Sequence, residues 1–189
     1  MLTRDIVVAG ARWSKGRRLS AEDLAALARE PAAGRAVSVL VPEAGELHED
    51  DAALRLARAI RRDDPGTVLR GPSESRVDLV AAVPGVVEIR VRDLERLNRI
   101  DPLEVFTVFD GQAVVPGDLV ASVKVGPHLV PESVVVAGEA LARRANRIVR
   151  VRPYRAGLPI AVLVRESISG AARERFEAAV RDKVEGLGA

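Results

Sequence analysis

From residue 77 to residue 125 short apolar runs alternate with turn signals, and this spacing constrains the fold more than any other feature of the chain. The runs cover 77–83, 86–91, 103–109, 113–115 and 119–125, and the sequences Pro84-Gly85, Asp110-Gly111 and Pro116-Gly117-Asp118 interrupt them. Proline presets one turn angle, glycine takes conformations other residues avoid, and aspartate hydrogen-bonds its own backbone, so each cluster can reverse the chain. Strands joined this closely pair antiparallel, because a parallel crossover needs about a dozen residues or more. A β-rich domain with short helices is therefore expected over 71–157, with the runs 77–83 and 86–91 folded around Pro84-Gly85.

The flanking segments carry helical signals. Ser20 is a natural N-cap, with Glu22 and Asp23 in the first turn, Leu24, Leu27 and Ala28 on one face, and Pro31 to end the run. A short strand at 6–9 precedes it. The apolar run 37–41, bounded by Gly34 and Pro42, reads as a strand covered on both faces. A helix then opens at Glu49, Asp50 and Asp51, presents Leu54, Ala57 and Ile60, and stops at Asp64-Pro65-Gly66, after which 67–70 reads as a strand beside the first. This order predicts a small α/β lobe over 1–70. Gly71-Pro72-Ser73-Glu74-Ser75 has the composition of a linker.

Asp93 caps a short helix that Asp101-Pro102 ends, Pro131 to Arg143 reads as another, and 148–152 as a strand. Finally, 158–164 reads as an apolar strand and 170–186 as an amphipathic helix with Phe176, Ala179, Val180 and Val184 on one face. The fold class is α+β.

Composition narrows the function. Only 3% of the 189 residues are aromatic, so the core is built from Val, Leu, Ala and Ile, and stacking platforms for nucleic acid have few candidates. The 29 basic residues are nearly matched by 27 acidic ones, and three of the 29, Lys15, Lys124 and Lys183, are lysines. The 26 arginines suit anions as rigid forks, and equally suit surface ion pairs. With no cysteine there is no disulfide, thiolate metal site or Cys nucleophile. No apolar stretch is long enough to span a membrane and the N-terminus lacks a secretion pattern, so a cytoplasmic protein with no membrane or nucleic-acid partner is expected.

Three stretches together carry a family resemblance: Lys15-Gly16-Arg17-Arg18-Leu19-Ser20-Ala21-Glu22-Asp23-Leu24, then His48-Glu49-Asp50-Asp51 before an Ala-rich helix, then Asp110-Gly111 through Pro116-Gly117-Asp118-Leu119-Val120-Ala121-Ser122-Val123-Lys124-Val125. In this order, with Leu97-Asn98-Arg99, Pro127, Pro131 and Val151-Arg152-Pro153-Tyr154-Arg155, the chain resembles the N-terminal half of bacterial molybdopterin-binding proteins related to molybdenum cofactor biosynthesis enzymes. The resemblance implies molybdopterin as ligand. It also implies that 158–189 is the first strand and helix of an α/β pterin-binding domain, cut after one unit at Ala189. The function it implies is that of a non-catalytic module that positions or scaffolds a pterin-binding domain. The alternatives are a small-molecule enzyme domain with a cleft between lobes, using Asp110, Lys124 or His128, and a structural module that forms a homodimer through its final helix.

No catalytic or metal-binding set is evident in the sequence, and five residues are candidates for ligand binding: Lys124, Ser122, Asp110, His128 and Arg76. Strand alternation puts Lys124 on one face with Ser122 and Val120, where it either pairs with a phosphate or carboxylate or extends to solvent and guards a sheet edge. Arg76, beside Ser73 and Ser75, offers a guanidinium and hydroxyls to an anion, although no glycine-rich phosphate loop accompanies it. His128 either faces a ligand or bonds nearby backbone, and the acids after His48 either belong to a metal site or complement a helix start.

Overall fold

The computed structural model describes residues 1–29, 36–73, 75–155, 157, 159–164 and 168–186. Pro31, Gly34, Glu74, Leu158 and Ala189, invoked above as boundaries, lie outside them. The class is α+β, as the sequence indicates, with strands distributed over several small antiparallel sheets.

Strands β1 (Ile6–Val8) and β2 (Ala11–Trp13) form a hairpin. Helix α1 (Ala21–Arg29) follows, and its start is a reciprocal cap. The Ser20 hydroxyl accepts from the Asp23 N–H at 3.1 Å while the Asp23 carboxylate accepts from the Ser20 N–H at 3.0 Å. Leu2, Val8 and Trp13 make a small core that Leu19, Ala26 and Leu27 join. The α1 face turned to it is thus Ala26 and Leu27, and Leu24 and Ala28 are exposed.

The run 37–41 is not a covered strand. It contributes one bridge, Val39 to Leu2, and Val37, Val39 and Val41 are exposed. The strand preceding the next helix is instead β3 (Glu46–His48), which pairs with β10 far downstream (Leu129–Pro131). Apolar content alone did not bury 37–41, because among the described residues no strand covers either face.

Helix α2 (Glu49–Arg61) buries Ala52, Ala53, Leu56, Ala57 and Ile60. It ends at Arg62, whose φ of 52° leaves the helical region. Strand β4 (Thr67–Ser73) does not lie beside 37–41. It pairs with β5 (Arg76–Ala81), so the segment expected to be a linker is the end of β4 and its connection to β5. Strand β6 (Gly85–Ile89) belongs to another sheet, so β5 and β6 are not a hairpin across Pro84.

Helix α3 (Val91–Leu97), β7 (Leu103–Thr107), β8 (Ala113–Val114) and β9 (Leu119–Val125) follow. The chain ends with β10, α4 (Glu132–Ala145), β11 (Val149–Pro153) and α5 (Gly170–Gly186). The central sheet runs β4-β5-β9-β7 and a second runs β11-β6-β8, antiparallel throughout.

Helix α2 packs across β4, β5 and β9 and against α4, so elements from both expected lobes share one apolar cluster. Gly138 lets α4 approach closely: a Cβ there would stand 2.7 Å from a Leu103 methyl. No strand forms among the described residues of 158–164, where Ile160, Val162 and Leu163 are exposed. Helix α5 forms where expected and buries none of its residues, Phe176 included.

Candidate functional site

The register of the central sheet brings three of the five candidates together. Arg76 pairs with Lys124 and Asp78 with Ser122 across β5 and β9, while Glu104 and Phe106 of β7 stand opposite Lys124 and Ser122. Partners across antiparallel strands share a face, so Arg70, Arg76, Asp78, Glu104, Phe106, Ser122 and Lys124 all lie on the side turned away from α2. The opposite side, with Val77, Leu79, Val123 and Val125, is fully buried.

On this open face the Ser122 hydroxyl donates to Asp78 at 2.6 Å, and Arg76 pairs with the same carboxylate at 3.3 Å. The Lys124 side chain has no hydrogen bond or ion pair among the described residues, and the Arg70 side chain likewise. The face therefore presents two uncommitted cations beside exposed Val68 and Phe106. Val120 does not join them. A register shift opposite Leu79 and Val80 inserts an extra residue in β9, and Val120 turns into the core.

His128 has different neighbours. Its Nδ1 lies 3.0 Å from the carboxylate of Glu49, the first residue of α2, and the Lys15 ammonium approaches the same carboxylate at 3.8 Å. Glu49 is buried, and the helix N-terminus and the Lys15 ammonium offset its charge. His48 caps the helix, its Nδ1 accepting from the Asp50 N–H. Both histidines thus come within reach of the start of α2. The hollow that both histidines line holds about 10 Å³, room for about one water. The arrangement ties the N-terminal segment to α2, reinforced by the Arg18–Asp51 pair. Nothing near Glu49 in sequence signals His128, which is 79 positions away.

Asp110 stands elsewhere again. It accepts from the Ile89 N–H at 2.8 Å and lines a cleft with Glu88, Arg90, Asn146, Arg147 and Arg150. Asp110, Lys124 and His128, proposed together for an enzyme cleft, therefore have three different sets of neighbours. Among the described residues no group of three or more His, Asp or Glu side chains is arranged to hold a metal ion, and no helix is long and apolar enough to cross a membrane. Comparison of the chain with protein-family models, with curated proteins and with solved structures returns no match.

Proposed function

We propose that this chain is a non-catalytic module of a molybdopterin-binding protein related to molybdenum cofactor biosynthesis enzymes, and that it positions or scaffolds a pterin-binding domain. The family enters through the sequence resemblance. The observation that carries the positioning role is the open face of the central sheet, where Arg76, Ser122 and Lys124 stand in register on the side turned away from α2. A polar sheet face with the unpaired side chains of Lys124 and Arg70 suits one side of a shared anionic site, whereas a substrate-enclosing enzyme site needs a concave pocket.

Calorimetric titration with molybdopterin tests the reading. The chain is expected to bind weakly, and Arg76→Ala with Lys124→Ala to lower the affinity roughly tenfold, about the loss of one charge-assisted hydrogen bond. Both positions are exposed, so the melting temperature should not move. Equal binding by wild type and variant, or none by either, would sink the proposal.

A homodimer is a second reading, favoured by the exposure of Leu163 and of Phe176 on α5. Light scattering should then report a dimer that Phe176→Asp dissociates, and a monomeric wild type would exclude it.

A further inference from the structure

Arg147 is unlike the other described arginines. Its Nε is the one buried side-chain polar atom without a hydrogen-bond partner among the described residues. Buried donors are almost always paired, so an orphan calls for an explanation. The backbone that places it is also unusual: Asn146 and Arg147 both have positive φ, 53° and 90°. A non-glycine residue persists there when its surroundings hold it. Here the Ile148 N–H donates to Ile60 and the Ile148 carbonyl accepts from Arg90, while Arg62 donates to the Asn146 side chain.

Arg147 lines the cleft that opens between β6, the β7–β8 connection and the turn from α4 to β11. Its volume of about 520 Å³ falls within the roughly 300–1,000 Å³ of small-ligand sites and exceeds what an inorganic ion fills. Three guanidinium groups meet there. Arg150 is engaged by Glu88, and Arg90 by Asp93 and the Ala145 carbonyl. Of the two acids in the wall, Glu88 pairs with Arg150 and Arg152, and Asp110 accepts from the Ile89 N–H. The end of α4 points a negative dipole toward this region, and the Arg90 bond to Ala145 offsets it. Arg147 is left as the cation without a counter-ion.

We propose that this cleft binds a phosphate monoester, with Arg147 as its anchor. A phosphate accepts from a guanidinium through paired, planar hydrogen bonds, so turning Arg147 toward a bound phosphate gives its orphan Nε a partner. The remaining volume takes the organic part of the ligand. The site does not rest on the pterin reading, since the open sheet face is built from other residues.

Arginine Nε–Hε resonances followed by NMR during titration with ribose 5-phosphate, inorganic phosphate and malonate test the assignment. The Arg147 resonance and the amides of Ile89, Asn146 and Ile148 are expected to shift saturably, with ribose 5-phosphate binding tighter than either other anion. Arg147→Gly suits the positive φ and so keeps the fold. It should lower the affinity at least about tenfold, roughly the loss of one charge-assisted hydrogen bond. Arg147→Lys, which keeps the charge without the fork, should fall between. Shifts spread over many arginines without saturation, undiminished binding by Arg147→Gly, or tighter binding of malonate would each overturn the proposal. Arg76→Ala with Lys124→Ala should leave this titration unchanged, which separates its failure from that of the sheet-face reading.

Discussion

Asp64 and Gly66 look like punctuation in the sequence, yet each holds two parts of the molecule together. The buried Asp64 carboxylate accepts from the Thr67 hydroxyl and from the Val151 N–H, both at 3.1 Å, and so joins the α2–β4 turn to β11. Arg61 closes the same turn through Thr67 and the Asp64 carbonyl. Gly66 is required because β11 passes directly over it: a Cβ there would stand 2.2 Å from the Val151 carbonyl oxygen. Backbone on both sides would have to move, so Gly66→Ala is expected to cost more than about 2 kcal/mol in urea unfolding. An unchanged midpoint would show that the two segments separate easily. The glycine was legible as a turn residue, but the strand that makes it necessary lies 85 positions away.

Helices α2 and α4 are clamped by Arg55, which donates to Glu139 through two nitrogens at 2.9 and 3.0 Å and to Glu132 at 2.6 Å. The Arg55 hydrogen bond holds the Glu139 carboxyl below the usual glutamate range, against the opposing effect of burial. A carboxyl lowered in the folded state stabilises above its unfolded pKa and loses that contribution as pH falls through its folded value. Glu139→Gln should therefore cost about 1 kcal/mol at neutral pH, and its stability should fall less than that of wild type on acidification below about pH 4. Thermal melts across that range check both. Helix α1 is held differently: none of its residues is fully buried, Ala26 and Leu27 pack at the edge of the small core, and its start is fixed by the Ser20–Asp23 cap. Ser20→Ala should cost about 1 kcal/mol locally, seen as roughly fivefold faster hydrogen exchange in α1 with little change in the global melt. The cap was plain in the sequence because its donor and acceptor are three residues apart.

At the scale of the molecule, the larger core is built entirely from residues 52–151, and α5 adds no buried residue to it. Removing everything after Arg155 is therefore expected to shift the melting temperature by less than about 2 °C, since loss of one kilocalorie of packing would shift a chain of this size by about 2–4 °C. A larger drop would mean that 157–186 stabilises the core. The sequence by itself determined the α+β class, the existence of all five described helices and most of the β segments, because caps, turn residues and periodicity act over a few neighbouring positions; it misplaced the start of α3, which begins at Val91 with Asp93 inside its first turn and not as its cap. Tertiary structure alone decided which strands pair. It sent β3 to β10, separated β5 from β6, left 37–41 exposed, turned Val120 inward, and joined His128 to Glu49 and Arg147 to its cleft. Those outcomes depend on burial and hydrogen bonding between segments distant in the chain, and no local pattern carries that information.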